Sequence, residues 1–214
     1  MRKLIFFTCI ITILLLLCGI TSCLSPYEDH LKRGAIAMSN GNYDEAITEF
    51  TKVIEIAPDN ESGYFARASA YYRKGQYDLA INDFTKAIQL NPKRVDPDYN
   101  GRGLSYSAKG DYQSAISDFT KAIEIYPNPL YYNNRGLAYN SQKNYDLAIQ
   151  DFTVAINLAP RDARPYSNRA DSYFAIGQVS LAIADLRKAI ELSGDDPTLM
   201  QSARERLKSL GVTE

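Results

Sequence analysis

Five arginines stand in the chain at nearly constant spacing: Arg33, Arg67, Arg102, Arg135 and Arg169. Guanidinium groups in such a column could form a ladder for anions or nucleic-acid phosphates, because each presents a planar fork of donors that matches carboxylate and phosphate oxygens. A second column answers the first. Glu49, Asp83, Asp118, Asp151 and Asp185 recur with the same period, and a buried arginine is tolerable chiefly when it is paired. The expectation is a ladder of structural pairs, Arg33, Arg67, Arg102, Arg135 and Arg169 with those five carboxylates, linking two sets of helices.

Other chemistry is sparse. His30 is the one histidine; as a general base it would need a nucleophile and an orienting group within hydrogen-bond reach. It falls where the later units place a tyrosine, so a packing role is expected. Cys9, Cys18 and Cys23 all lie among the first 23 residues, which leaves the rest of the chain without a thiol. There is no glycine-rich phosphate loop, no zinc-ligand spacing and no catalytic cysteine pattern. No enzymatic activity, cofactor or metal is expected.

Composition narrows the class further. The 214 residues include 24 Lys+Arg against 25 Asp+Glu, with neither a basic tail nor a block of like charges. Such a balance gives little steering toward phosphate, which disfavours a nucleic-acid partner. At 45% hydrophobic and 23% charged, the chain is too apolar to be disordered throughout.

The elements that carry these residues are repeated. DEAITEFTKVIEIAP, DLAINDFTKAIQLNP, QSAISDFTKAIEIYP, DLAIQDFTVAINLAP and SLAIADLRKAIELSG align without gaps on Ala46, Ala80, Ala115, Ala148 and Ala182, at steps of 34, 35, 33 and 34 residues. Within the second string Ala80, Ile81, Phe84, Ala87 and Ile88 fall on one face of a helix that ends before Pro92. Upstream, Tyr64, Ala68 and Tyr71 form the stripe of a first helix, which Lys74-Gly75 breaks. Each unit is therefore a helix, a tight turn and a helix, and neither stripe can be buried alone. A further amphipathic segment, Pro197 to Leu210, places Leu199, Ala203, Leu207 and Leu210 on one side and should cap the last apolar face.

These columns resemble the tetratricopeptide repeat. The match is carried by Tyr64, Tyr99, Tyr132 and Tyr166, by the small residues Gly34, Ala68, Gly103, Gly136 and Ala170, by the turn glycines Gly41, Gly75 and Gly110, by Phe50, Phe84, Phe119 and Phe152, and by Pro58, Pro92, Pro127 and Pro160. The end units depart from it: His30 and Ala37 replace aromatics in the first, Leu186 and Gly194 replace phenylalanine and proline in the fifth. The resemblance implies an all-α fold, a right-handed α-α superhelix of five helix-turn-helix repeats at 27–60, 61–95, 96–128, 129–162 and 163–196, with a capping helix and tail at 197–214.

It also implies a concave face built from first helices that grips a protein or peptide partner. Its variable columns read Leu31, Phe65, Asn100, Asn133 and Ser167; Ala35, Ser69, Leu104, Leu137 and Asp171; Met38, Tyr72, Ser107, Asn140 and Phe174. The first two contain no Lys or Arg, which argues against a clamp for a terminal carboxylate. Asparagine amides carry both donor and acceptor and suit an extended backbone. The expected groove set is Phe65, Ser69, Tyr72, Asn100, Asn133, Asn134, Asn140, Ser167, Asn168, Asp171 and Phe174.

The amino terminus reads as an address. Met1-Arg2-Lys3 precedes an apolar run from Leu4 to Ile20, the n- and h-regions of an export signal. Ile20-Thr21-Ser22-Cys23 resembles a bacterial lipobox, which implies loss of residues 1–22, lipidation of Cys23 and a short linker over 23–26. Retention of the run as an anchor helix is the alternative, at the short end of what spans a bilayer. The expected product is an extracytoplasmic lipoprotein of the bacterial cell envelope, at the outer membrane if the host has two. It would act as a membrane-anchored adaptor; a non-catalytic regulatory or substrate-delivery subunit is the alternative.

Overall fold

The computed structural model describes residues 25–92, 95–194 and 196–212. The segments 1–22 and 23–26 of the sequence reading, including Cys23, lie outside it up to residue 24. Among the described residues there are eleven α-helices and no strands. Five hairpins follow one another: α1 (Pro26–Ser39) with α2 (Tyr43–Ile56), α3 (Glu61–Arg73) with α4 (Tyr77–Leu90), α5 (Asp96–Ala108) with α6 (Tyr112–Ile125), α7 (Pro129–Ser141) with α8 (Tyr145–Leu158), and α9 (Ala163–Ala175) with α10 (Val179–Leu192); α11 (Pro197–Ser209) closes the array.

Local chemistry sets the helix ends. Ser25 and Glu28 form a reciprocal capping box on α1, and Asn60, Asp111, Asn128, Asp162 and Asp196 cap later helices through their side chains. Tight turns between paired helices need a residue with positive φ, supplied by glycine at Gly41, Gly75, Gly110 and Gly177. The fourth hairpin turns through Lys143 at φ 63° instead, a conformation that is strained for a side chain with a Cβ.

Each helix packs on its neighbours in sequence, and the other substantial contacts join first helices of successive units: α3 with α5, α5 with α7, α7 with α9. First helices thus form one continuous wall. Between the two layers lie the repeated alanines Ala46, Ala80, Ala115, Ala148 and Ala182, all with 0% exposure, and the rings of Phe50, Phe84, Phe119 and Phe152. Small residues let the helices approach closely, and each buried ring contributes about 1.5–3 kcal/mol.

One column shows how packing covaries between units. Where a first helix has glycine, the phenylalanine of its partner lies on it: a Cβ added at Gly103 or Gly136 would stand 2.7 Å from Phe119 or Phe152. Ala68 already carries a Cβ there. Phe84 instead reaches the next unit, where a Cβ at Gly101 would come within 2.4 Å of its ring. In the fifth unit Ala170 faces the smaller Leu186, and α11 covers that end with Ala203 and Leu207.

Candidate functional site

Four of the five expected ion pairs form, with one geometry. Arg67, Arg102, Arg135 and Arg169 each donate through Nε and Nη2 to both oxygens of Asp83, Asp118, Asp151 and Asp185, at 2.7–3.0 Å. The third donor, Nη1, reaches back to a threonine of the preceding unit: Thr51, Thr85, Thr120 or Thr153. Each of those hydroxyls in turn donates to the carbonyl four residues earlier, so it serves as donor and acceptor at once. Tyrosines flank the guanidinium groups, as Tyr64 and Tyr71 do Arg67, at centroid distances of 5.3–5.9 Å. The column therefore ties helix to helix and unit to unit. All three nitrogens of each guanidinium are engaged, and hydrogen bonding to the aspartate raises the pKa of Arg67, Arg102 and Arg135 further.

The first rung corrects the sequence reading. Arg33 does not meet Glu49; it lies exposed and pairs with Asp29 on its own helix at 2.7 Å. Glu49 is taken by His30 Nδ1 at 2.7 Å and by Lys52 at 2.7 Å, and its pKa is lowered, first by the Lys52 bond and then by His30. The physical reason is the end position. Among the described residues no earlier unit offers a threonine, and His30 and Ala37 replace the two tyrosines that would have enclosed the guanidinium. His30 is thus a partner of a buried carboxylate rather than only a packing residue.

Among the described residues the concave wall holds one large hollow. It measures about 660 Å³ and spans α1, α3, α5 and α7, with Met38, Phe65, Tyr72, Phe84, Leu104 and Tyr131 among its lining. Of the expected groove residues, Phe65, Ser69, Tyr72 and Asn100 line it. Gly101 forms part of its floor beside Phe84. A second hollow of about 300 Å³ shares Tyr72 and Leu104 and continues toward Leu137 and Ser141, so the trough runs on past α5.

The remaining expected groove residues have other engagements. Asn134 donates to Asn100 and Asn168 donates to Asn133, both at 2.8 Å, and Ser172 donates to Asn140 at 3.3 Å. These amides stitch successive first helices together, and Asn133 and Asn134 are buried as a result. Ser167 and Asp171 are held by Arg206 of the capping helix, at 2.7 and 2.9 Å; burial raises the Asp171 pKa even so. Ser167 is 2% exposed, which removes it from any open surface. Phe174 stands out at the far end, against a hollow of only about 120 Å³ beside Arg206 and Leu210.

Sequence reasoning missed Arg73, Leu130, Tyr131 and the Gly101 floor, all of which line the main hollow. They lie outside the variable columns, and their access to the trough depends on how far one unit is displaced along the next. It also missed Asp98, buried between the second and third units with one carboxylate oxygen unpaired. Burial first, then the charges of Glu61 and Asp96, push Asp98 up to about 7. Asp96 escapes that isolation by accepting a hydrogen bond from Tyr131 at 2.9 Å.

Among the described residues no group of three or more His, Cys, Asp or Glu could hold a metal ion. No helix described is long and apolar enough to cross a membrane.

Comparison with known proteins matches sequence models described as TPR repeat over residues 34–75 and as tetratricopeptide repeat over 62–94, 98–129, 129–162 and 163–196. Solved structures share the fold. The crystal structure of MamA protein is 24% identical with a TM-score of 0.68, covering 79% of this chain and 92% of that one. A thermophilic TPR protein in Thermus thermophilus is 22% identical with a TM-score of 0.70, covering 85% and 98%. YrrB, described as a TPR protein with an unusual peptide-binding site, is 19% identical with a TM-score of 0.64, covering 82% and 90%. No curated protein matches the chain in sequence.

Proposed function

Since the chain belongs to the tetratricopeptide repeat family, we propose that it is a non-catalytic adaptor that binds a peptide segment or helix of a protein partner in its concave trough. The observation that carries this reading is the trough itself. First helices α1, α3, α5 and α7 enclose about 660 Å³ of apolar space with few fixed polar groups, the lining expected of a site that buries side chains and orients a backbone. Asn100 accepts from Asn134 through its oxygen, which leaves its own amide N–H groups for an incoming carbonyl. The peptide-binding site named for YrrB supports the same use of the fold.

The adaptor works at a membrane in this reading, anchored by lipid on Cys23 in the bacterial envelope, at the outer membrane where the host has two. Two or more acyl chains give stable anchoring, at about 0.8 kcal/mol per buried methylene. Confinement of binder and partner to one surface then raises their effective concentration, so a modest contact affinity suffices.

Photo-crosslinking tests the trough. A photoreactive residue at Tyr72 or Asn100 in the native membrane-bound chain should capture one partner, while the same residue at exposed Glu55 or Glu124 on the second helices should not. Equal capture at both sets of positions would move binding to the convex face and overturn the reading.

A further inference from the structure

The main hollow is mostly apolar, with the neutral polar groups of Ser39, Ser69 and Asn100, and carries charge at one edge. No carboxylate lines it, and its only Lys or Arg is Arg73, in the last turn of α3 beside Tyr72. Arg73 has no carboxylate within ion-pair distance among the described residues, unlike the neighbouring Lys74, which is spent on Asp44. The rest of the trough is electrically settled: the asparagines are neutral and bonded to one another, and Asp171 at the far end is answered by Arg206. One uncompensated positive charge therefore stands next to a space fit for a bulky side chain, floored by Gly101 and Phe84, whose ring meets Phe65 edge-on at 5.8 Å.

From this charge asymmetry we infer that the occupant, on the reading of the trough given above, is a peptide in which a bulky aromatic or aliphatic side chain lies close in sequence to an Asp or Glu. The apolar side chain fills the hollow and the carboxylate accepts hydrogen bonds from the Arg73 guanidinium. The acid is a side chain and not a chain end, because the trough continues beyond the hollow through Tyr72 and Leu104 toward Leu137 and Ser141, where further chain is accommodated. Arg73 is exposed, so the pair contributes selectivity more than affinity.

The test is selection of a random peptide library displayed on phage against the intact chain in detergent, in parallel with Arg73→Glu and with Ser69→Trp, which fills the hollow. The native chain should enrich a bulky apolar residue with Asp or Glu nearby; Arg73→Glu should enrich the same apolar residue with Lys or Arg. An enriched peptide should bind Arg73→Ala up to about fivefold more weakly, with reduced salt dependence. Apolar enrichment indifferent to charge, and unchanged by Arg73→Glu, overturns this inference and leaves the trough reading standing. Enrichment no different on Ser69→Trp, with that variant folded by circular dichroism, overturns both.

Discussion

Arg102→Met separates what the arginine ladder does for stability from what a surface ion pair would do. Arg102 donates to Asp118 at 2.7 and 2.8 Å and to Thr85 at 2.9 Å, and Asp118 is 3% exposed. Methionine keeps the apolar stem and leaves a carboxylate buried without its cation. Removing one partner of a buried pair costs about 3–5 kcal/mol. Thr85→Val deletes the bond between units together with the hydroxyl's own bond to the Ile81 carbonyl and should cost about 1–2 kcal/mol. Arg102→Met/Asp118→Leu removes both charges and should recover much of the loss, because the penalty lies in the orphaned carboxylate. Urea unfolding followed by helical circular dichroism reads all three, with midpoints compared at a common slope. If Arg102→Met is no worse than Thr85→Val, or the double variant no better than the single, the ladder is not a buried structural device.

Three further outcomes are expected. Gly101→Ala should destabilise by about 1 kcal/mol, the net of overpacking on Phe84 and a gain in helix propensity. Ala68→Gly should relieve part of that loss, read as a double-mutant coupling of about 0.5–1 kcal/mol; strict additivity would refute the displaced-ring account. Asp98 has a folded pKa of about 7 against 3.8 for the free group, so the native state holds a proton that the unfolded chain has lost between roughly pH 4 and pH 7. Stability should fall as pH rises through that window. Asp98→Asn should therefore stabilise by about 1–2 kcal/mol at pH 8, by roughly a third of that at pH 5 and hardly at all below about pH 4; equal effects at pH 8 and pH 5 would count against it. Cys23→Ser should abolish incorporation of labelled palmitate and release the chain from the membrane fraction, and persistent association would favour a retained anchor helix.

The sequence by itself determined everything that repeats within one unit. Alanine and phenylalanine columns at a period near 34 residues dictate paired amphipathic helices, because an apolar stripe of that spacing has to be covered by its neighbour. The same register brought Arg67, Arg102, Arg135 and Arg169 to their aspartates. The recurrent Thr51, Thr85, Thr120 and Thr153 were visible as a column too, but their bonds cross from one unit to the next, and nothing in a period states how far successive units are displaced.

That displacement is what the tertiary structure decided. It turned Asn100, Asn133, Asn134 and Asn168 from a free surface into a bonded spine, closed Ser167 beneath Arg206, and buried Asp98 without a partner for one of its oxygens. It also gave Glu49 to His30 and left Arg33 outside, since among the described residues no unit precedes the first. Helical periodicity is a property of one chain segment, whereas the trough, with Arg73 at its edge, exists only where side chains from four separate first helices converge.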